Sequence, residues 1–344
     1  MRSEGQKQYR IFPWGVQTVA VVEGDRRWVQ AANLRSIPAA TRLLRALRAS
    51  LSAIVSVGAG GLVSRQGAFP VSTDFTPSTL LDVLKCATGL AATRPVFIVP
   101  RLGLGRRRFY VLLVDASGCR VAFAKVDMGE SSERSIQKEA RVLRELASRR
   151  NLPFSVPAVL SVGHIGDAVY LVTEALPTEA VDVTPRWSPE LARIRDEVAG
   201  APMRRKVEQC SWWEEFAQRG DGVPWLSAEL TGKAASIDVA AAHGDFAHWN
   251  MFDCKGRMWI LDWEAYAPDA PRMSDEVRFL LGASMRAAMR RPRVVAAKMA
   301  TALQCVDRSR NADVLSALAF LHARGVGVAT SVANEWPTEL RGLR

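Results

Sequence analysis

The sequence predicts an α+β protein of two lobes, a small antiparallel-sheet lobe followed by a mostly helical one, with an N-terminal extension ahead of both. Strand-length apolar runs cluster between residues 94 and 174 around one helical stretch. After Leu176-Pro177 the pattern turns helical. At 344 residues the chain is also longer than one core usually organises, which asks for two packed bodies. The expected division is 1–90 for a basic extension, 91–176 for the small lobe and 177–344 for the helical lobe.

In chain order, Thr18 to Val22 and Trp28 to Gln30 read as strands, followed by a helix from about Ile37 to Leu51. There Leu43, Leu44, Leu47 and Leu51 recur at helical spacing with Arg42, Arg45 and Arg48 between them, an amphipathic basic helix suited to packing or to a membrane surface. Strands follow at Pro95 to Pro100, Phe109 to Asp115 and Arg120 to Val126, the last two joined by the short turn Ala116-Ser117-Gly118. A helix runs from about Ser131 to Arg149, capped by Ser131 or Ser132 and stopped before Pro153. Strands return at Ala158 to Gly163 and Ala168 to Glu174. Helices are expected near Pro189 to Val198, Trp212 to Arg219 and Ser227 to Lys233, and again beyond Asp275. No fixed-period repeat is present, which argues against a solenoid.

The five cysteines are scattered and form no CxxC pair, which speaks against a disulfide framework or a zinc site and for a reducing, cytoplasmic setting. The N-terminus carries no secretory signal pattern, and the uncharged stretch Ala49 to Ser64 is too short and too glycine-rich to span a bilayer. The net charge of +11 is one-sided: residues 1–176 hold 24 Lys and Arg against 13 Asp and Glu, while 177–344 hold 22 of each. Such an excess can meet nucleic acid, an anionic membrane face or nucleotide phosphates, and charge alone does not choose. Nucleic acid is disfavoured because no basic segment interleaved with aromatics appears. Peripheral contact with the inner membrane face stays open through the basic helix, as does the oligomeric state.

The segment that carries chemistry is His243-Gly244-Asp245-Phe246-Ala247-His248-Trp249-Asn250, followed by the strand Met258 to Leu261 and by Asp262-Trp263-Glu264. Phosphoryl transfer needs a carboxylate to take the proton of the attacking hydroxyl and oxygen ligands to hold Mg²⁺ on the phosphates. Asp245, Asn250 and Asp262 offer that set. An Asp and an Asn five apart, with a second Asp ending the next strand, match the H-x-D-x-x-x-x-N plus metal-Asp arrangement of kinase folds.

With Gly at the second position and Asp-Trp-Glu at the end, the segment resembles the aminoglycoside phosphotransferase and choline kinase family, of protein-kinase-like fold. The resemblance is strong over about 240–280, weaker over 94–176 and absent before about 90. It implies that Asp245 is the catalytic base, that His243 orients the loop and that Asn250 and Asp262 hold magnesium. Asp275 resembles a family aspartate that braces this loop. Glu264 either assists a second metal or faces solvent.

A kinase also needs a strand lysine on the nucleotide phosphates, paired with a helix glutamate. Lys125 lies inside the strand Val121 to Val126, and Glu139 falls on the apolar stripe of Ile136, Ala140, Leu143 and Ala147, where a carboxylate wants a cation. Lys125 is the candidate cation for Glu139, so the two are expected to pair, with two surface charges at element edges as the alternative. Gly103 and Gly105, within Arg101 to Arg108, form an incomplete glycine loop that either cradles phosphates or is only a basic hairpin tip. The base is expected on backbone groups of Thr173 to Leu176, including Glu174 and Leu176.

The implied cofactors are ATP or GTP and Mg²⁺, and the implied partner is a small-molecule hydroxyl. An aminoglycoside is a polycation and wants an acidic pocket, whereas residues 281–344 hold 10 Lys and Arg against 4 Asp and Glu. A sugar, an amino alcohol or a glycan precursor fits better. A P-loop is absent, and four histidines are too few for a two-metal hydrolase without help from carboxylates. A kinase-like scaffold docked on an anionic surface is the alternative from another class.

Overall fold

The computed structural model describes residues 9–14, 17–22, 31, 34, 42–67, 71, 73–90, 92–100, 107–129, 131–219, 224–231, 236–303 and 308–336. The chain is α+β and divides into two compact units. The first comprises Met1–Arg150, Ser155–Asp182 and Asp253–Trp259; the second comprises Asn151–Phe154, Val183–Phe252 and Ile260–Arg344.

The first unit is built on one sheet of β1 (Tyr9–Trp14), β2 (Gln17–Val22), β3 (Arg65–Gly67), β4 (Arg94–Pro100), β5 (Arg107–Val114), β6 (Arg120–Met128), β7 (Val159–Ile165) and β8 (Ala168–Glu174). The order is β3-β1-β2-β4-β5-β6-β8-β7, antiparallel throughout. This corrects the expected five strands to eight, because the N-terminal strands join the same sheet through β2 and β4. The expected strand Trp28 to Gln30 lies outside the described residues.

Both faces of the sheet are covered. Helix α1 (Arg42–Ser56) contributes Val55 and, partly buried, Leu51 to a cluster with Leu34, Ile98, Leu112, Val114 and Phe123. It starts and ends about five residues later than expected. Its Leu47 is exposed, and the side chains of Arg42, Arg45 and Arg48 lie outside the described residues. The opposite face packs Phe109, Val111, Ala124 and Val126 against Leu80 and Leu84 of α2 (Pro77–Thr88). This helix was not expected, yet its signals are ordinary. Thr76 Oγ1 accepts the Thr79 N–H at 3.1 Å, Pro77 stands at the first turn and Gly89 closes it with φ +70°. Helix α3 (Ser132–Ser148) buries Ile136, Glu139, Ala140 and Leu143 on one stripe, and Ser131 occupies its N-cap position without a side-chain cap bond.

The second unit holds α4 (Pro189–Ala199), α5 (Trp213–Arg219), α6 (Pro224–Thr231), α7 (Ser274–Ala283), α8 (Met285–Arg290), α9 (Pro292–Ala302), α10 (Arg308–Ala323) and α11 (Gly327–Asn334). The expectation of a mostly helical lobe gains a three-stranded antiparallel sheet, with β10 (Ser236–Ala242) between β9 (Met203–Lys206) and β13 (Ala267–Pro271). The paired strands β11 (Met251–Cys254) and β12 (Arg257–Ile260), of which Asp253–Trp259 is counted with the first unit, turn at Lys255 and Gly256, both with positive φ. Trp212, Phe216, Val239, Val277, Phe320 and Trp336 share the core. No helix among the described residues is long and apolar enough to cross a membrane.

The cysteines give a test of this packing. Cys210 is buried, with Sγ donating to the Lys206 carbonyl at 3.6 Å, and burial pushes its thiol up to about 11. Cys86 and Cys119 are exposed. Since the thiolate is the reactive form, iodoacetamide at pH 8 should alkylate Cys86 and Cys119 and spare Cys210 until the chain unfolds. Peptide mass spectrometry reads the order, and early modification of Cys210 would contradict its burial.

Candidate active site

Strand β10 delivers the chain into His243-Gly244-Asp245, and the first turn of α7 anchors that loop. Asp275 is fully withdrawn from water and accepts the His243 N–H at 2.8 Å on one oxygen and the Gly244 N–H at 3.0 Å on the other. Burial, opposed by these backbone hydrogen bonds, moves its pKa above the ordinary carboxylate value. The His243 ring is consumed within the loop. Nδ1 accepts the Asp245 N–H at 3.1 Å, so Nε2 carries the proton and donates to the Leu261 carbonyl at 2.9 Å. Trp263 lies 4.4 Å from the His243 ring, centroid to centroid, and its Nε1–H donates to Ile260 O at 3.1 Å.

Asp245 is held from two sides. Asn250 Nδ2 donates to its Oδ2 at 2.9 Å and to its main-chain carbonyl at 3.0 Å, while Arg278 Nη2 pairs with Oδ1 at 2.6 Å. The Asp245 side chain keeps 28 % of its surface open, enough to meet a hydroxyl. With Nδ2 committed to Asp245, the Asn250 side chain is left with its carbonyl oxygen to offer a cation. The Asn250 main-chain carbonyl accepts the Leu261 N–H at 2.9 Å, which ties this loop to the next. Asp262 follows in the left-handed region at φ +67°, ψ +62°, a conformation that a residue other than glycine adopts only where its surroundings impose it. Its carboxylate lies within 4.8 Å of that of Glu264.

In the first unit, Lys125 Nζ donates to both Glu139 oxygens, at 2.8 and 2.7 Å, and both residues are buried. Two residues along the same face of β6, Asp127 is wholly buried and accepts Arg108 Nε and Nη2 at 2.9 and 2.6 Å. The register sets Tyr110 opposite Lys125 and Arg108 opposite Asp127. Glu174 ends β8, exposed, with its N–H donating to the Ala158 carbonyl at 2.8 Å, and Leu176 is buried just beyond. Gly103 and Gly105 lie outside the described residues.

The fold therefore brings His243, Asp245, Asn250, Asp262, Glu264 and Asp275 into one loop cluster, and Lys125 onto Glu139. Sequence reasoning missed Arg278 and the Arg108–Asp127 pair. A signal for Arg278 existed: an arginine amid Val277, Phe279, Leu280 and Leu281 poses the same question of a partner as the strand lysine did.

No family model matches the chain, and no curated protein matches it. Among solved structures, it is similar to a thermostable mutant of an aminoglycoside phosphotransferase in ternary complex with ADP and hygromycin B. Identity there is 15 %, over 76 % of this chain and 97 % of that one, with a TM-score of 0.45. A macrolide 2'-phosphotransferase of type I is 17 % identical over 78 % and 99 % of the two chains, at a TM-score of 0.44. A choline/ethanolamine kinase family protein from Mesorhizobium loti is 15 % identical over 68 % and 84 %, at a TM-score of 0.36. Likenesses of this degree leave activity and substrate to be argued from the site.

Proposed function

We propose that the chain is a phosphotransferase that moves the γ-phosphoryl group of ATP or GTP onto a hydroxyl of a small molecule. The observation that most supports this is Asp245, a partly exposed carboxylate oriented by the amide of Asn250 on a loop clamped from behind by Asp275. In this reading the functional parts are an extension over 1–90, a nucleotide lobe over 91–176 and a catalytic lobe over 177–344. The cysteines described with free thiols fit a cytoplasmic setting.

The donor set fits magnesium: the Asn250 carbonyl oxygen and the Asp262 carboxylate are hard oxygen ligands, and Glu264 adds a neighbouring one. When bound, the ion would neutralise phosphate charge that builds during transfer. Asp245 takes the proton of the acceptor hydroxyl, whose oxygen attacks in line. His243, with both ring nitrogens engaged, holds the loop and exchanges no proton. Lys125 holds phosphate oxygens, and Glu139 keeps its ammonium aimed. The charge balance of residues 177–344 supports a sugar, an amino alcohol or an anionic glycan precursor over an aminoglycoside.

Calorimetric titration with ATP and GTP, with and without Mg²⁺, tests the reading. Magnesium-dependent binding is expected in the wild type and in Asp245→Asn and should be lost in Asp262→Ala, while Asp245→Asn should cut transfer by about 10³-fold, to a residual rate that can still be measured. Absence of binding of either nucleotide under any condition would sink the proposal and favour the scaffold alternative. Equal loss of binding in both variants would refute the separate roles of base and metal ligand.

A further inference from the structure

Arg278 stands on α7 three residues after the bracing Asp275, and its side chain is only 7 % exposed. A guanidinium withdrawn from water is costly unless a counter-charge meets it. Among the described residues its ion pair is with Asp245 Oδ1, at 2.6 Å. Its Nε and Nη1 are buried with no hydrogen-bond partner. The Trp249 ring lies against it, with Cζ 4.9 Å from the ring centroid. Gly282, one turn further on, leaves this stack its room: a Cβ there would stand 3.2 Å from the Trp249 ring and 3.4 Å from Arg278 Nη1.

An arginine kept only for packing would spend its donors on carbonyl oxygens. This one directs its charge to a single carboxylate, the one given the role of base. Resting on the phosphotransferase reading, we propose that Arg278 is a positioning residue for the transfer. The guanidinium on Oδ1 and the Asn250 amide on Oδ2 together fix the rotation of the Asp245 carboxylate before an acceptor arrives. In the transfer the acceptor proton passes to Asp245 and the acceptor oxygen bonds to the γ-phosphorus. The bond from phosphorus to the bridging oxygen breaks, its electron pair leaving with the nucleoside diphosphate. Arg278 exchanges no atom and acts only through Asp245.

The test uses the full chain with Mg·ATP and water as the acceptor, so no substrate need be known. Arg278→Met should lower turnover by about 10²-fold, as a misplaced catalytic group does. ATP affinity by calorimetry should stay within about twofold, since the contact is not to the nucleotide. Arg278→Lys should recover about tenfold of that loss by returning a cation to the carboxylate. In an Asp245→Asn background, Arg278→Met should cause no further loss, because residues acting as one unit are not additive. An unchanged rate in Arg278→Met, or the same factor lost in both backgrounds, overturns the inference while leaving the phosphotransferase reading intact. A wild type that neither binds nor hydrolyses Mg·ATP removes both. Should Arg278→Met fail to fold, Trp249→Leu keeps the charge and removes the ring that steadies it, and the same two backgrounds decide.

Discussion

Gly244→Ala is expected to cost about 3 kcal/mol or more and to silence the site, the largest effect of any small-to-small change in the loop. Gly244 has φ +83°, a region that alone costs an L-residue roughly 1–2 kcal/mol. The heavier penalty is steric. A Cβ at this position would run into the carbonyl oxygen of Ala265 and stand 2.8 Å from its carbon, both backbone atoms that cannot swing aside. Relief has to come from moving either the 243–245 loop, which breaks the bonds to Asp275, or the turn after Asp262. Gly89→Ala is the control: φ is +70°, but no atom lies within 4 Å of the new methyl, so only the dihedral cost of about 1 kcal/mol should appear. Urea unfolding of the two variants separates clash from dihedral strain, and equal losses would show that the Ala265 contact is not limiting.

The second large effect concerns the ion pair of the first unit. Lys125→Met strands the Glu139 carboxylate in an interior where both partners are under 10 % exposed, and breaking such a pair from one side costs about 3–5 kcal/mol. Replacing both, as Lys125→Met with Glu139→Leu, should regain much of that stability, because a matched apolar pair has no charge to desolvate. Nucleotide binding should not return with it. Stability recovered without Mg·ATP binding would assign the pair a task beyond holding α3 to β6. Recovery of both would make the pair a matter of packing.

Legibility followed the strength of local signals. Strand β8 was readable to the residue because Ala168 to Glu174 is a bounded apolar run, and α3 because its buried stripe repeats at helical spacing. The loop cluster was readable because its residues are near in sequence and their spacing is chemically constrained. Strand β1 was hidden by Pro13, which argues against a strand. The residue in fact lies beyond Tyr9 to Ile11, the positions that β3 pairs with among the described residues, so no ladder described on that side needs its missing N–H. Strand β13, Ala-Pro-Asp-Ala-Pro, was hidden in the same way by two prolines, and β9, Met-Arg-Arg-Lys, by its charge. Arg278 was out of reach for another reason: its partner is 33 positions away, and only the return of α7 onto the loop creates the contact.

Strand β4 carries Val96 and Ile98 toward one buried cluster and Phe97 toward the other, so both of its faces are apolar. What shields its outer flank is β2, and after it β1, ending in the three residues of β3. A shortened chain beginning near residue 91 would present a long unpaired edge, apolar above and below, and such edges recruit strands from neighbouring molecules. The N-terminal strands thus cover an edge that would otherwise be open, and among the described residues the sheet ends on that side at the three residues of β3.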